Sequence, residues 1–204
     1  FYYPNIMIII GSMNILARKE AVLGAQQKLQ RQPVYLDTET TGLGPSAEIV
    51  EIAVVDHDGS LLYESLVKPR GAMEPEAQRV HKITPEMLKD APGWVDIWPQ
   101  LESVLAGRTI GVYNAEFDLR LMKQSHMRSW LRWQLSDAAF FCIMKLYAQF
   151  NGEWDLKRGA YRNVSLDLAG KQAEIAIPNS HRAHDDARLA KALLEYMAGW
   201  KSGG

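Results

Sequence analysis

The chain has 204 residues, 47% hydrophobic and 23% charged, which is the composition of an ordinary globular domain. Lys and Arg number 23 against 24 Asp and Glu, a formal net charge of −1. That balance excludes a protein that coats nucleic acid by bulk positive charge, but it permits a local basic groove. The single cysteine, Cys142, excludes an internal disulfide and a cysteine-ligated zinc site and fits a reducing, cytoplasmic compartment.

The first apolar run, Ile6 to Ile10, falls far short of the roughly 20 residues a spanning helix needs. No basic flank or cleavage site marks a signal peptide, so no membrane partner is expected. Gly11-Ser12-Met13 reads as a cloning scar before a start Met. Residues 1–12 are therefore set apart, 13–32 are expected as an N-terminal helix, and 33–204 as the domain proper. Asn14 to Gln32 is polar and alanine-rich, and Pro33 ends it. Val34 to Leu36 is a short apolar run closing on Asp37, followed by Thr-Thr-Gly turn chemistry. Ile49 to Val55 and Leu61 to Val67 read as strands joined by a hairpin at Asp58-Gly59. Pro75 to Val80 and Pro85 to Leu88 are short helical turns, and Trp94 to Leu105 is a helix with Pro99 inside it. Thr109 to Tyr113 is a strand, and Ala115 to Met127 a helix capped by Asn114. Trp133 to Ser136 is a weak strand. Phe140 to Phe150, Val164 to Lys171 and Ala183 to Ala198 are helical. A meander followed by alternating strand and helix gives an α/β fold, a mixed sheet with helices on both faces.

Three segments carry chemistry. Asp37 and Glu39 are two apart at the end of a strand, so both carboxylates leave the same face. Like charges this close repel unless a cation lies between them. A bare Asp-x-Glu is also common on solvated surfaces, and the apolar strand before it is what sets this pair apart. Asp118 is in register with Leu121 and Met122, on the core side of its helix. Asp186 is in register with Leu189, Ala190, Leu193 and Met197, while Asp185 sits nearer the edge and is expected beside Arg188. His181 precedes that last helix by about a turn. Buried acids of this kind are usually paired or bound to metal. Carboxylates without cysteine suit hard cations such as Mg²⁺ or Mn²⁺. Two such ions about 3.5–4 Å apart clamp the attacking and leaving oxygens of a phosphoryl displacement, and a histidine can take the proton of the attacking water. The constellation would hydrolyse phosphodiesters.

The same residues resemble a known family. Asp37-Thr38-Glu39-Thr40-Thr41-Gly42 resembles the first motif of the DEDD exonucleases, and Asn114-Ala115-Glu116-Phe117-Asp118 the second. His181-Arg182-Ala183-His184-Asp185-Asp186 resembles the third in its histidine variant. Val80-His81-Lys82-Ile83-Thr84 is similar to a further family segment, with Lys82 where Gly is usual. Tyr113 and His184 are two more departures, replacing a frequent His and a frequent apolar residue. Relatives include the epsilon proofreading subunit of bacterial DNA polymerase III and ribonuclease T. The resemblance implies a ribonuclease H-like fold with a five-stranded mixed sheet. It implies two divalent cations on Asp37, Glu39, Asp118 and Asp186, with His181 as general base. It implies release of nucleoside monophosphates from the 3′ end of single-stranded or frayed DNA. Thr40, Leu43 and Phe117 would lie near the terminal nucleotide, and His81 and Asn114 join them as candidate substrate-binding residues.

Lys157, Arg158 and Arg162 are interleaved with Trp154 and Tyr161, a composition that suits single-stranded nucleic acid and equally a polar loop anchored by one ring. Arg120, Lys123, Arg128 and Arg132 read as a solvated helix face, and the other tryptophans as core. Two other functions stay open at this point: an exoribonuclease trimming RNA 3′ ends, and a proofreading or binding module acting within a polymerase or other replication and repair complex. Sugar choice depends on contacts to the 2′-OH that sequence does not display.

Overall fold

The computed structural model describes the backbone of residues 4–201 and the side chains of residues 15–201. Among these residues no helix is long and apolar enough to cross a membrane. The chain opens with helix α1 (Pro4–Leu29), whose backbone reaches back through the segment set apart above. It ends four residues before Pro33, which cannot donate the next helical bond.

Strands β1 (Val34–Thr40), β2 (Ile49–Val55) and β3 (Leu61–Leu66) form the expected antiparallel meander. The turn between β2 and β3 is built as its sequence predicts. Gly59 takes a φ of 91°, and Asp58 accepts the Ser60 N–H at 2.8 Å. Short helices α2 (Pro75–His81) and α3 (Pro85–Leu88) follow, then α4 (Trp94–Leu105), β4 (Ile110–Val112) and α5 (Ala115–Arg128). Pro99 is accommodated inside α4.

Two expectations fail in the next stretch. Trp133 to Ser136 forms no strand; Phe140 to Phe150 divides instead into strand β5 (Phe140–Cys142) and helix α6 (Ile143–Asn151). An all-apolar run of three residues carries no period, so the strand was hidden in front of the helix. Residues 154–161, within the basic and aromatic segment left open above, form a small hairpin of β6 (Trp154–Asp155) and β7 (Ala160–Tyr161). Helices α7 (Leu166–Gln172) and α8 (Ala183–Gly199) complete the fold.

The main sheet has five strands in the order β3-β2-β1-β4-β5. β1, β4 and β5 are parallel; β2 runs against its neighbours. Helices α1, α6 and α8 cover one face, sealing Tyr35, Val55, Leu189, Leu193 and Met197. Helices α4 and α5 cover the other, over Leu36, Ile52, Trp98, Leu121 and Met122. Each fully buried Leu or Met contributes about 1.5–3 kcal/mol, so the apolar stripe of α8 fixes its rotation and with it the direction of Asp186. Gly111 lets β4 pass between two rings. A Cβ there would lie 2.8 Å from the Phe141 ring and 3.2 Å from Tyr35.

Pairing lengths shape the site. β4 pairs only with Val34 and Tyr35 of β1. Beyond that, β1 runs on alone on this side to Thr40 while the chain turns from β4 into α5. The uncovered edge of β1 is where the first turns of α5 come to rest.

Candidate active site

Asp37 and Glu39 lie toward the end of β1, as expected, and the strand ends at Thr40. Their side chains leave the face that α8 covers. Asp118 sits in the first turns of α5 and Asp186 in the first turns of α8; both are buried. The Thr38 hydroxyl donates to Asp118 Oδ1 at 2.6 Å, tying α5 to the free edge of β1. Glu39, Asp186 and His181 each offer a ligand atom within 4.8 Å of the others'. His181 Nδ1 lies 4.0 Å from Asp186 Oδ2, and its side chain is 46% exposed. Asp186 Oδ1 is buried and has no hydrogen-bond partner among the described residues.

The electrostatics are those of crowded anions. Asp37 is pushed well above the usual carboxylate range, first by burial and then by Asp118, Glu39 and Asp186. Glu39 is pushed up to about 8 by burial and then by Asp186 and Glu51, with Arg182 pulling it down. Burial raises Asp118 to about 7 against the lowering effect of its bond from Thr38. Burial likewise raises Asp186 to about 7. Carboxylates raised together in this way are stabilised as anions when a cation joins them.

Other candidates fall around this centre. Thr40 is buried and donates to the Gly42 carbonyl at 2.8 Å. Leu43, three residues past the end of β1, is 80% exposed on the same loop. Phe117 is partly buried under the Arg120 guanidinium, 5.2 Å from its ring. Asn114 is exposed and makes no side-chain cap bond, so α5 is not capped as expected. His81 is buried with both ring nitrogens engaged by backbone: Nε2 faces the Thr40 carbonyl at 3.2 Å, and Nδ1 accepts the Ile83 N–H at 3.0 Å. It braces the end of β1 from below. Lys82 takes a φ of 61° at the end of α2, the left-handed position where glycine is usual. Tyr113 is buried and donates its hydroxyl to the Val164 carbonyl at 2.7 Å, a core role.

The hairpin cations are largely engaged locally. Arg162 pairs with Glu153 at 2.8 Å and Arg158 with Asp155 at 3.8 Å. The Trp154 and Tyr161 rings meet edge to face at 4.9 Å between centroids. Lys157 has no carboxylate partner among the described residues. Asp185 accepts the Ser180 hydroxyl at 2.7 Å, and Arg188 donates instead to the Gly59 carbonyl at 3.2 Å; the expected Asp185–Arg188 pair does not form. Trp94 and Trp98 are buried as read, and Trp133 and Trp200 pack partly buried against the core, but Trp130 is almost wholly exposed.

Two residues at the site escaped the sequence reading. Glu51, buried in β2, stands opposite Glu39 in the ladder, and Arg182 reaches across to it. The signal was a lone charge inside the apolar run Ile49 to Val55.

The comparisons with known proteins bear on the family and the fold. The exonuclease family model matches residues 34–194. The chain is 34% identical over 179 residues to an uncharacterized exonuclease of Escherichia phage 186, covering 85% of this chain and 92% of that one. It is 29% identical over 165 residues to the DNA polymerase III epsilon subunit of Treponema pallidum, covering 79% and 74%. Among solved structures, exonuclease X in complex with 5′-overhanging duplex DNA superposes with a TM-score of 0.58 at 28% identity, covering 82% and 93%. The nuclease domain of 3′hExo, a DEDDh family member bound to rAMP, superposes with a TM-score of 0.63 at 16% identity, over 80% and 89%; at that identity it speaks for the fold alone. The fold is ribonuclease H-like, as expected. The family is divalent-metal dependent, and the four carboxylates with their orphaned Asp186 oxygen fit that requirement. On the family match and the phage relative together, the chain belongs to the exonuclease family and is a hydrolase of nucleic acid.

Proposed function

We propose that the chain is a 3′–5′ exonuclease that removes nucleoside 5′-monophosphates from single-stranded or frayed DNA ends. The observation that carries this reading is that Asp37 and Glu39 of β1, Asp118 of α5 and Asp186 of α8 crowd one another, with Asp186 Oδ1 buried and without a hydrogen bond among the described residues. In this reading the four acids hold two divalent cations, Mg²⁺ or Mn²⁺. Bound there, the cations supply Lewis-acid stabilisation of the charge that develops on the attacking and leaving oxygens.

The chain's own residues do the rest. Thr38 holds Asp118 in one rotamer through its 2.6 Å hydrogen bond. The half-exposed imidazole of His181 accepts the proton of the attacking water beside Asp186. Leu43 and Phe117 lie where the terminal nucleotide can pack, and Thr40 and His81 stiffen the loop beneath it. Lys157, Arg158 and Arg162 face single-stranded substrate, with Lys157 the cation most available to a phosphate. DNA is favoured over RNA because the epsilon relatives are parts of a DNA polymerase and exonuclease X was solved with DNA. Those same relatives make a replication or repair partner the next protein to seek.

A gel assay tests the reading. Matched 5′-labelled DNA and RNA oligonucleotides are incubated with Mg²⁺, with Mn²⁺ and with EDTA. The expected result is a metal-dependent ladder shortening from the 3′ end, faster on DNA. A faster RNA ladder would transfer the assignment to 3′ RNA trimming. No cleavage of either strand would contradict it.

A further inference from the structure

Glu51 is the one charge in a strand that is buried throughout. It is 1% exposed and directly opposite Glu39, so the two side chains leave the same face of the sheet. An unpaired carboxylate in that place would be costly, and Arg182 meets it. Arg182 Nε donates to both carboxylate oxygens, at 3.0 and 3.1 Å, and its Nη2 donates to Oε1 as well. The Ala183 N–H donates to Oε2 at 2.9 Å.

Arg182 is a strange residue for its position. It is the N-cap of α8, where Ser, Thr, Asp or Asn would accept a free helical N–H and where a cation opposes the helix dipole. Arginine can accept nothing. Glu51 does that work from β2, accepting the Ala183 N–H, and Arg182 reaches across to grip it. The fork geometry suits arginine and not lysine.

The residue before it is His181. Its φ is 53°, a left-handed conformation that side chains with a Cβ rarely adopt. The imidazole makes no hydrogen bond within 3.5 Å among the described residues; only its backbone is held. The His181 N–H donates to Asn179 Oδ1 at 3.3 Å on one side, and the Arg182 clamp follows on the other. The backbone at residue 181 therefore fixes the Cα–Cβ direction from which the ring reaches Asp186.

We infer that Glu51 and Arg182 form a latch that positions His181. By pinning residue 182 to β2, the pair keeps residue 181 in its strained conformation and the imidazole over Asp186. Both are positioning residues acting through His181. The inference rests on the exonuclease reading, in which His181 handles the proton of the attacking water.

The test is a double-mutant cycle of Arg182→Lys, which keeps the charge and loses the fork, with His181→Ala. Arg182→Lys is expected to lower kcat by about tenfold or more with KM within about twofold, because a small misplacement of a catalytic group costs up to about 10²-fold. The double variant is expected to match His181→Ala alone. Effects that multiply would overturn the latch, as would an unchanged kcat in Arg182→Lys. Arg182→Gln serves as a stronger version, and where it does not fold the lysine variant decides. A readout independent of activity comes from the imidazole ¹³C–¹H correlations of the five histidines. In Arg182→Lys the His181 signal should shift and broaden while the buried His81 and His126 signals stay in place; an unmoved His181 signal would contradict the latch. A wild-type protein without metal-dependent cleavage would overturn the exonuclease reading, and the spectra would still judge the latch by itself.

Discussion

Asp118 and Asp186 occupy the same place in two helices and live in different surroundings. Each is the fourth residue of its helix, after an alanine at the first position. Each is turned inward by an apolar stripe. Asp118 is completed by the protein: Thr38 donates to it at 2.6 Å. Asp186 is left incomplete: the backbone at His181 and Ser180 pulls its pKa down, yet Oδ1 is buried without a hydrogen bond among the described residues, and His181 Nδ1 lies 4.0 Å from Oδ2. The contrast teaches that one acid is preset by the fold while the other is shaped to be finished by something that binds. Burial alone does not make a functional carboxylate; burial without a partner is the informative combination.

The largest effect should come from the incomplete acid. Asp186→Asn, or Asp37→Asn in β1, should lower kcat by at least about 10²–10³-fold, the range seen when one electrostatic stabiliser of a transition state is lost. Circular dichroism should be unchanged, because an amide fits the same space. Full turnover by Asp186→Asn in the gel assay would contradict its assignment as a ligand.

The completed acid should respond through its support. Thr38→Val removes the hydroxyl and leaves Asp118 in place, so Mn²⁺ affinity measured by titration calorimetry should weaken about 10–100-fold, as for other residues that orient a metal ligand. Unchanged affinity would mean that Thr38 serves packing only.

The acids of the site should also titrate. Glu39 at about 8, and Asp118 and Asp186 at about 7, lie above their unfolded values near 4. The folded state then holds protons that the unfolded state has released. Metal-free stability should be greatest below about pH 4–5 as far as these groups are concerned, and be lost as pH rises toward 8. Divalent cations should reverse the trend. At a metal concentration 100 times Kd the gain is about 2.7 kcal/mol, or roughly 5–10 °C in Tm for a chain of this size. Thermal melts at pH 5 and pH 8, with EDTA and with Mn²⁺, check this; a metal-free Tm that climbs from pH 5 to 8 would contradict it.

The smallest effect should lie in the hairpin. Replacing Lys157, Arg158 and Arg162 by alanine should weaken single-stranded DNA binding a few-fold and flatten its salt dependence. The change should be modest because Arg158 and Arg162 already face Asp155 and Glu153. Fluorescence anisotropy at two salt concentrations measures it, and an unchanged slope would return the hairpin to a structural role.

How much of this was legible in the sequence follows from what periodicity can encode. Asp118 and Asp186 were readable because each keeps step with apolar neighbours three and four residues on. Asp37 and Glu39 are readable from their spacing of two after an apolar run, and Thr38 and Thr40 continue the strand around them. Strand β5 was not readable, since three apolar residues look the same in front of a helix as inside one. The partner of Asp185 was misread because helical spacing offers Arg188, whereas the tertiary fold offers Ser180 first. Glu51 and Arg182 lie 131 residues apart, and no local pattern announces a pair at that separation.

The most direct test of the account is to locate the cations themselves. Crystals grown or soaked with Mn²⁺ should show two anomalous difference peaks held by Asp37, Glu39, Asp118 and Asp186, with one of them against Asp186 Oδ1. Saturating Mn²⁺ that leaves these carboxylates bare, or that binds only elsewhere on the surface, would contradict the assignment of the site.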